Sequence, residues 1–350
     1  MKKFLTALLA LCMLAFGAAA ESAELPVVRI SVEGVGDIYA ELYPETAPIT
    51  VENFLKLTDQ GFYNGLTFHR IISGFMVQGG DPLGNGTGGS EETIKGEFSA
   101  NGVENPLQHS RGVLSMARSS AMDSASSQFF IMHADASHLD GNYAAFGKVL
   151  AGMNIVDALC RDTPVTDSNG TVAAADQPRM KEIVRVSREE AEKAMAREAE
   201  NGLNGRYEDP VLGLSFPVPE GWSLQPANGN TLLFSREEGG ASVQLAAQDM
   251  WKRFGSGFRS GFEAEGKGRA DLNTAYFGEQ LTQSISGTDG MAFTEAEYGG
   301  ITFYSGDTTQ ADVPVRVRIG AADGRLICFI GIGEGAEEAM EQMMTGLEMR

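Results

Sequence analysis

The stretch FHRIISGFMVQGGD (68–81) sets two polar side chains into an otherwise apolar run. Arg70 and Gln78 stand among phenylalanine, isoleucine, methionine and valine residues, and two glycines follow. Arginine and glutamine rarely become buried unless a partner satisfies their hydrogen bonds. We therefore expect Arg70 and Gln78 either to be paired internally or to be held ready to bind a ligand.

A pair of short strands would bring the two side chains together. Ser73-Gly74 predicts a tight turn, so the strands before and after it should lie side by side. Alternation along the first strand places Phe68, Arg70 and Ile72 on one face. Gln78 on the second strand could then meet Arg70 across an apolar surface.

A second stretch, SSQFFIMHADASHLDG, adds further candidate site residues. Gln128, Phe130 and Leu139 would each, taken alone, be typical of ordinary core packing. Together with Phe75 and Met76 they predict a shallow apolar pocket that contains one fixed cation and two amides. A pocket of this composition suits the binding of a small apolar group.

Other kinds of chemistry are poorly supported. The four histidines lack the spacing of a metal site, and no predicted helix carries two of them: His69, His109, His133 and His138. Gly84–Gly89 matches a glycine pattern of nucleotide-binding loops, but no helix follows to hold a phosphate, so a surface loop is predicted. We therefore expect no metal and no cofactor.

Short strands are the elements that would position this pocket. VVRISVEGVGDIYAELYP predicts a hairpin, and glycine-bearing turns separate five more strand candidates: LTFHRII, GFMVQGG, GVLSMA, SQFFIMH and YAAFGKV. A helix with Pro48 in its first turn places Val51 and Phe54 on one face, and GMNIVDALC predicts a second helix. With EIVRVS as the last strand, this part of the chain reads as a closed or sandwiched β domain.

The 350 residues suffice for about two domains. After residues 21–187, a charged helix over 188–204 begins with a possible capping box of Ser187 and Glu190. This helix either links two domains or packs on the first one. Residues 205–350 predict an α+β domain with a mostly antiparallel sheet, whose last helix buries methionines in its core.

The first 20 residues have the pattern of a secretory signal peptide. Lys2 and Lys3 precede a short apolar stretch, and Ala18 and Ala20 follow at A-x-A spacing. The alternative is a membrane anchor, but the apolar stretch is short for a span of roughly 20 residues. We expect cleavage after about Ala20, and therefore a secreted or cell-envelope protein without a membrane span.

Charge and cysteine content narrow the class of protein further. The formal net charge of −20 argues against a nucleic-acid partner, because binding to phosphates requires basic patches. Once the signal peptide is removed, only Cys160 and Cys328 remain. Two cysteines in different halves of the chain do not form a disulfide framework, so we expect two buried free thiols.

Taken in order, several segments resemble the signature segments of the cyclophilin-type peptidyl-prolyl cis–trans isomerases, or rotamases: FHRIISGFMVQGGD, GVLSMAR, SSQFFIMHADASHLDG and YAAFGKVLAGMNIVDAL. The resemblance covers about residues 26–187. It implies an eight-stranded antiparallel barrel capped by two helices, and an enzyme that isomerises X-Pro bonds without a cofactor.

The resemblance also implies roles for individual residues. Arg70 would be the catalytic residue, and the following residues would contact substrate: His69, Phe75, Met76, Gln78, Ala117, Arg118, Gln128, Phe130, His138, Leu139 and Tyr143. Arg118 stands where many relatives have asparagine, and Tyr143 where many have histidine. His138 replaces a tryptophan of cyclosporin-sensitive members, so weak or no cyclosporin binding is expected.

The expected function is to isomerise X-Pro bonds in unfolded or exported proteins and so to assist their folding. A first alternative is a module that binds proline-containing segments without catalysis. A second alternative is that a C-terminal binding domain has the main role and the isomerase domain is accessory to it. That C-terminal part is weakly similar to PsbP-like α+β domains, and this likeness assigns it no function.

Overall fold

The computed structural model describes residues 24–202, 205–225, 231–236, 239–278 and 292–350. The predicted signal peptide (1–20) and the end of the predicted linker (203–204) lie outside the described residues. Within the described ranges, no helix has both the length and the apolar character needed to cross a membrane.

The first domain is an eight-stranded antiparallel sheet with strand order β3-β4-β6-β5-β7-β2-β1-β8. Its strands are β1 Val27–Val32, β2 Gly36–Leu42, β3 Thr67–Ile72, β4 Met76–Asp81, β5 Val113–Met116, β6 Phe129–Met132, β7 Ala145–Ala151 and β8 Met180–Val186. The two edge strands meet, because Phe68 N donates to Pro178 O at 2.9 Å and Met180 N donates to Leu66 O at 2.8 Å. These bonds close the sheet into a barrel.

Two helices, α1 Pro48–Asp59 and α2 Met153–Asp162, pack on the barrel. Pro48 occupies the start of α1, where its missing N–H costs no helical hydrogen bond. Phe54 of α1 is fully buried, and its ring lies 5.3 Å from Phe129 and 5.1 Å from Phe146. The predicted antiparallel barrel with two capping helices is confirmed.

A third helix, α3 Arg188–Glu200, lies against β2 and β7 of this barrel. The Ser187 hydroxyl accepts a hydrogen bond from Glu190 N at 3.2 Å, which caps the helix. The predicted capping box is only half formed, because the Glu190 carboxylate accepts from Arg29 at 2.9 Å instead. Near the other end of α3, the Glu198 carboxylate accepts from Gly152 N at 2.7 Å.

The second domain contains a three-stranded sheet and a seven-stranded antiparallel sheet, in the orders β18-β10-β9 and β11-β12-β13-β17-β16-β15-β14. Its strands are β9 Arg206–Asp209, β10 Leu214–Pro217, β11 Trp222–Gln225, β12 Thr231–Arg236, β13 Ser242–Asp249, β14 Phe293–Tyr298, β15 Ile301–Gln310, β16 Val313–Ala322, β17 Arg325–Ile332 and β18 Glu348–Met349. Its described helices are α4 Met250–Arg253, α5 Gly255–Ala264, α6 Thr274–Phe277 and α7 Ala336–Thr345. The predicted α+β domain with a mostly antiparallel sheet is confirmed.

The interior of the second domain agrees with the sequence except at one cysteine. Met340, Met343 and Met344 of α7 are fully buried in its core, as the apolar stripe of this helix predicts. Cys160 and Cys328 are both free thiols, but only Cys160 is buried. The prediction that both thiols are buried is therefore wrong for Cys328, which is half-buried next to the cluster under α5.

Candidate active site

The paired side chains of β3 and β4 are the centre of the site. Arg70 and Gln78 lie opposite each other in the strand register, and Arg70 Nη1 donates to Gln78 Oε1 at 3.1 Å. The turn between the strands contains Gly74 at φ +80°, a backbone conformation that favours glycine. Of the two alternatives, internal pairing and readiness to bind a ligand, the structure shows the first between Arg70 and Gln78.

The expected face of Phe68 is wrong. The register between β3 and β4 shifts between Phe68 and Arg70, so a β-bulge interrupts the alternation there. Phe68 and Ile71 are buried in the barrel core, whereas Ile72 packs against the separate apolar cluster around Met76. The bulge therefore allows Arg70 to face outward although Phe68 and Ile71 both lie in the core.

The side-chain amides of Gln78 and Gln128 form a series of hydrogen bonds that connects Arg70 to the glycine loop. Gln78 Nε2 donates to Gln128 Oε1 at 2.9 Å, and Gln128 Nε2 donates to the carbonyl oxygens of Gly86 at 3.1 Å and Gly88 at 2.7 Å. A backbone carbonyl can only accept, so it fixes the direction of both side-chain amides. As a result, the amide oxygen of Gln78 is turned toward Arg70.

The glycine loop at the end of this series is itself anchored by a buried carboxylate. Asp81 is 1% exposed, and its side chain accepts from the backbone N–H groups of Leu83, Asn85 and Gly86 at 2.6 to 3.0 Å. Burial alone would raise the pKa of Asp81, but these donors outweigh it and hold the pKa below its usual range. The predicted surface loop thus also orients Gln128.

A backbone carbonyl far along the chain holds the other side of Arg70. Arg70 Nε donates to Asn169 O at 2.8 Å, although 99 positions separate the two residues. Burial lowers the pKa of Arg70 from its ordinary value, and arginine nevertheless stays protonated in proteins. The guanidinium is thus fixed by two acceptors, and among the described residues Nη2 makes no hydrogen bond, which leaves a donor for a ligand.

Next to Arg70 lies a cleft of about 340 Å³ with an apolar floor and polar side chains around it. Met76, Phe130 and Leu139 form its floor, and each is at most 7% exposed. The structure brings ten of the predicted site residues to this cleft: Arg70, Phe75, Met76, Gln78, Ala117, Arg118, Phe130, His138, Leu139 and Tyr143. Gln128 lies behind Gln78 in the amide series, and His69 is buried on the side of Gly86.

One supporting residue was not predicted from the sequence. The His109 ring stacks on Phe130 at a centroid distance of 6.0 Å. Its Nδ1 lies 2.9 Å from a carboxylate oxygen of Asp140, and its Nε2 lies 3.0 Å from the Ser115 hydroxyl. Because the carboxylate can only accept, Nδ1 carries the proton and Nε2 accepts from Ser115. The spacing of His109 in the sequence gives no signal of this role.

The rim of the cleft is polar and aromatic. The Arg118 guanidinium lies 4.7 Å from the centre of the Tyr143 ring and donates to Asn142 O at 3.0 Å. On the opposite side, His138 stacks on Phe75 at 5.7 Å. No group of three or more metal-ligating side chains occurs in the part of the chain that the structure describes.

Comparison with known proteins identifies relatives of the first domain. The family model of cyclophilin type peptidyl-prolyl cis-trans isomerases matches residues 27–187. Peptidyl-prolyl cis-trans isomerase B of Bacillus subtilis (strain 168) is 52% identical over 122 residues, which cover 35% of this chain and 82% of the relative. A peptidyl-prolyl cis-trans isomerase of Helicobacter pylori (strain J99) is 47% identical over 120 residues, or 34% of this chain and 71% of the relative.

A solved structure is also similar. The crystal structure of a Cryptosporidium parvum cyclophilin type peptidyl-prolyl cis-trans isomerase in the presence of the dipeptide ala-pro is 33% identical in sequence. The match covers 46% of this chain and 99% of that one, with a TM-score of 0.41.

Acidification should destabilise the wall of the cleft at His109. Burial lowers the pKa of His109, although Asp140 opposes the effect. The unfolded chain, with an ordinary histidine pKa of about 6.5, then binds a proton more readily than the folded protein. The contribution of His109 to the free energy of unfolding should be constant above about pH 6.5 and decrease as the pH falls below it.

An NMR titration of the imidazole protons in the full chain measures this directly, with His109→Gln identifying the resonance. A folded pKa of His109 above that in the unfolded chain would contradict the prediction.

Proposed function

The chain belongs to the cyclophilin-type peptidyl-prolyl cis–trans isomerases, and we propose that Arg70 catalyses rotation about X-Pro bonds in peptides bound at this cleft. One observation carries the proposal. A guanidinium fixed by Asn169 and Gln78, with a donor still available, lies beside a cleft that has an apolar floor.

The reaction requires loss of amide resonance, and no bond is made or broken. Rotation about an X-Pro bond crosses a barrier of roughly 20 kcal/mol, since the C–N bond has partial double-bond character. In the twisted state the prolyl nitrogen becomes pyramidal and its lone pair is localised. A donor aimed at that nitrogen binds the twisted state more strongly than the planar amide, and this difference lowers the barrier.

Arginine suits this role because it stays charged and presents a rigid set of donors. Its position is set before substrate arrives, so little reorganisation accompanies the reaction. Met76, Phe130 and Leu139 would hold the proline ring and exclude water, which strengthens the electrostatic interaction. A reduction of the barrier by roughly 7 kcal/mol would accelerate the rotation about 10⁵-fold.

The remaining polar residues would hold the peptide backbone on each side of the proline. Gln78, Gln128 and Arg118 lie within or directly behind the cleft wall, and His69 borders the glycine loop. Holding one side of the X-Pro bond while the other side turns needs only hydrogen bonds and packing. The substrates would be proline-containing segments of unfolded proteins, and no cofactor takes part.

The alternative of a binding module without turnover is less well supported. Binding of a proline ring requires the apolar floor but no half-buried cation beside it. Holding Arg70 there costs desolvation, which Asn169 and Gln78 offset through hydrogen bonds. Such an arrangement is useful when charge develops on the bound group, as it does in catalysis.

Removal of the guanidinium should abolish most of the activity. Arg70→Ala should lower kcat/KM for a short X-Pro peptide by about 10²–10³-fold, the usual effect of removing one transition-state donor. A protease-coupled assay with the full chain measures this. Arg185→Ala is the control, because Arg185 pairs with Asp59 on the barrel surface at 2.6 Å and should leave the rate unchanged. Wild-type activity in Arg70→Ala would contradict the mechanism.

We further propose that the enzyme is exported, on the basis of the signal-peptide pattern in residues 1–20. Proline isomerisation is a slow folding step, so an isomerase outside the cytoplasm would assist exported proteins there. Sequencing the N-terminus of the protein from the envelope or medium fraction of a bacterial host should show cleavage after about Ala20. Ala18→Phe, which removes a small residue of the cleavage pattern, should accumulate uncut. An intact Met1 in the wild-type protein would refute export by cleavage.

Cyclosporin should inhibit this enzyme weakly or not at all. His138 stacks on Phe75, at the position where the family resemblance places tryptophan in sensitive members. Imidazole offers less apolar area than indole. His138→Trp should therefore strengthen inhibition by about tenfold, equivalent to about 1.4 kcal/mol. Strong inhibition of the wild-type enzyme would show that the residue at this position does not govern sensitivity.

A further inference from the structure

The chain between α2 and β8 contacts the catalytic arginine and its strand. We call residues 163–178 the Asn169 segment, after the carbonyl that accepts from Arg70 Nε at 2.8 Å. Ile71 N donates to Gly170 O at 2.8 Å, and Val172 N donates to His69 O at 3.0 Å. Gly170 lies so close to β3 that a Cβ there would collide with the Ile71 carbonyl. The position of this segment therefore sets the position of the Asn169 carbonyl.

The second domain holds the Asn169 segment near both of its ends. At the start, Arg253 Nη1 donates to Thr163 O at 2.7 Å. Near the end, the Asp176 carboxylate accepts from Ser256 N at 2.7 Å, from Ser256 Oγ at 3.0 Å and from Arg259 Nη2 at 2.9 Å. The Asp176 side chain is only 6% exposed. A buried carboxylate with three donors is strongly fixed, since losing its partners would leave a charge unpaired.

The contact at Asp176 uses the N-terminus of α5. Ser256 N is one of the first N–H groups of this ten-residue helix, which have no partner within the helix. A carboxylate at that position also interacts favourably with the positive end of the helix dipole. Gly255 permits the close approach, since a Cβ there would lie 3.3 Å from Asp176 Oδ2. Asp176 thus supplies, from the first domain, an acceptor that this helix lacks.

The residue after Asp176 points the other way, toward the site. Gln177 Oε1 accepts from the hydroxyl of Thr67, the first residue of β3, at 2.5 Å. Gln177 Nε2 donates to Gly84 O at 2.8 Å, in the loop that orients Gln128. Asp176 therefore binds the second domain, while the next residue, Gln177, binds both β3, which contains Arg70, and the glycine loop.

We propose that the C-terminal domain positions the catalytic arginine, with Asp176 as the positioning residue through which Ser256 and Arg259 fix the Asn169 segment. This inference rests on the proposed role of Arg70. When the contact is present, the Asn169 carbonyl stays where it aligns the guanidinium with the prolyl nitrogen. When it is lost, substrate still binds to the apolar floor, but the aligned state of Arg70 is less populated.

The test uses Arg259→Ala and Asp176→Asn in the full chain. Displacement of a catalytic group by a remote change can cost up to about 10²-fold in rate, so we expect kcat to fall by about tenfold while KM changes by less than about twofold. The Arg70 Nε–H resonance, identified by its absence in Arg70→Ala, should shift and exchange faster with water. Because both variants break the same contact between Arg259 and Asp176, the double variant should lose no more activity than either single variant.

Arg316→Ala is the matched control. Arg316 pairs with Glu337 at 2.7 Å within the second domain, and its side chain is 22% exposed, compared with 24% for Arg259. This variant should change neither kcat nor the Arg70 resonance. Arg259→Lys keeps the charge and should restore part of the rate, which separates loss of the contact from loss of the fold.

The outcomes separate this inference from the proposed function. If Arg70→Ala is inactive while Arg259→Ala and Asp176→Asn keep the wild-type kcat and Arg70 resonance, the inference is overturned and the proposed function stands. If Arg70→Ala keeps the wild-type rate, the catalytic role fails, and the inference fails with it. A fall in kcat with a shifted Arg70 resonance in both variants, but not in Arg316→Ala, supports the inference.

Discussion

The site depends on holding one charged side chain still beside an apolar surface. Two acceptors do this for Arg70: the Gln78 amide oxygen on the neighbouring strand, and the Asn169 carbonyl from a segment nearly one hundred positions away. The first acceptor has its direction fixed by the backbone carbonyls of Gly86 and Gly88, through Gln128. An arginine placed this way has lost its conformational freedom before substrate arrives, so the interaction that we propose with the twisted amide would not be weakened by that loss.

The barrel around the site provides what this arrangement needs. A β-bulge in β3 turns Arg70 out of a strand whose neighbouring side chains are in the core. Asp81 anchors the glycine loop, and His109 supports Phe130 from behind. Asp81 and His109 are both buried and hydrogen-bonded, which keeps the cleft in one shape. The contact from α5 to Asp176 extends the same kind of support across the boundary between the domains.

Sequence reasoning succeeded where the signal was local. Arg70 and Gln78 are separated by a recognisable turn, so their pairing follows from strand geometry. It failed where a contact uses a backbone atom or joins residues far apart in the sequence. Any residue type can supply the backbone carbonyl that Asn169 offers to Arg70, and the spacing of His109 does not indicate that its ring packs on Phe130. The bulge beside His69 broke the alternation that placed Phe68 with Arg70. The glycines of GSGFRSGFEA disfavour helix, so α5, which forms through tertiary packing, was not predicted.

Catalysis by Arg70 requires that it binds the twisted state of the X-Pro bond more strongly than the planar one. NMR exchange spectroscopy on one X-Pro peptide, with wild type and Arg70→Ala, yields the dissociation constant and the rate of isomerisation in the bound state. Differential binding predicts that the bound-state rate falls by about 10²-fold or more while the dissociation constant changes by less than about fivefold. An equal loss in both quantities, or a loss of affinity alone, would mean that Arg70 only binds the peptide and does not stabilise the twisted state.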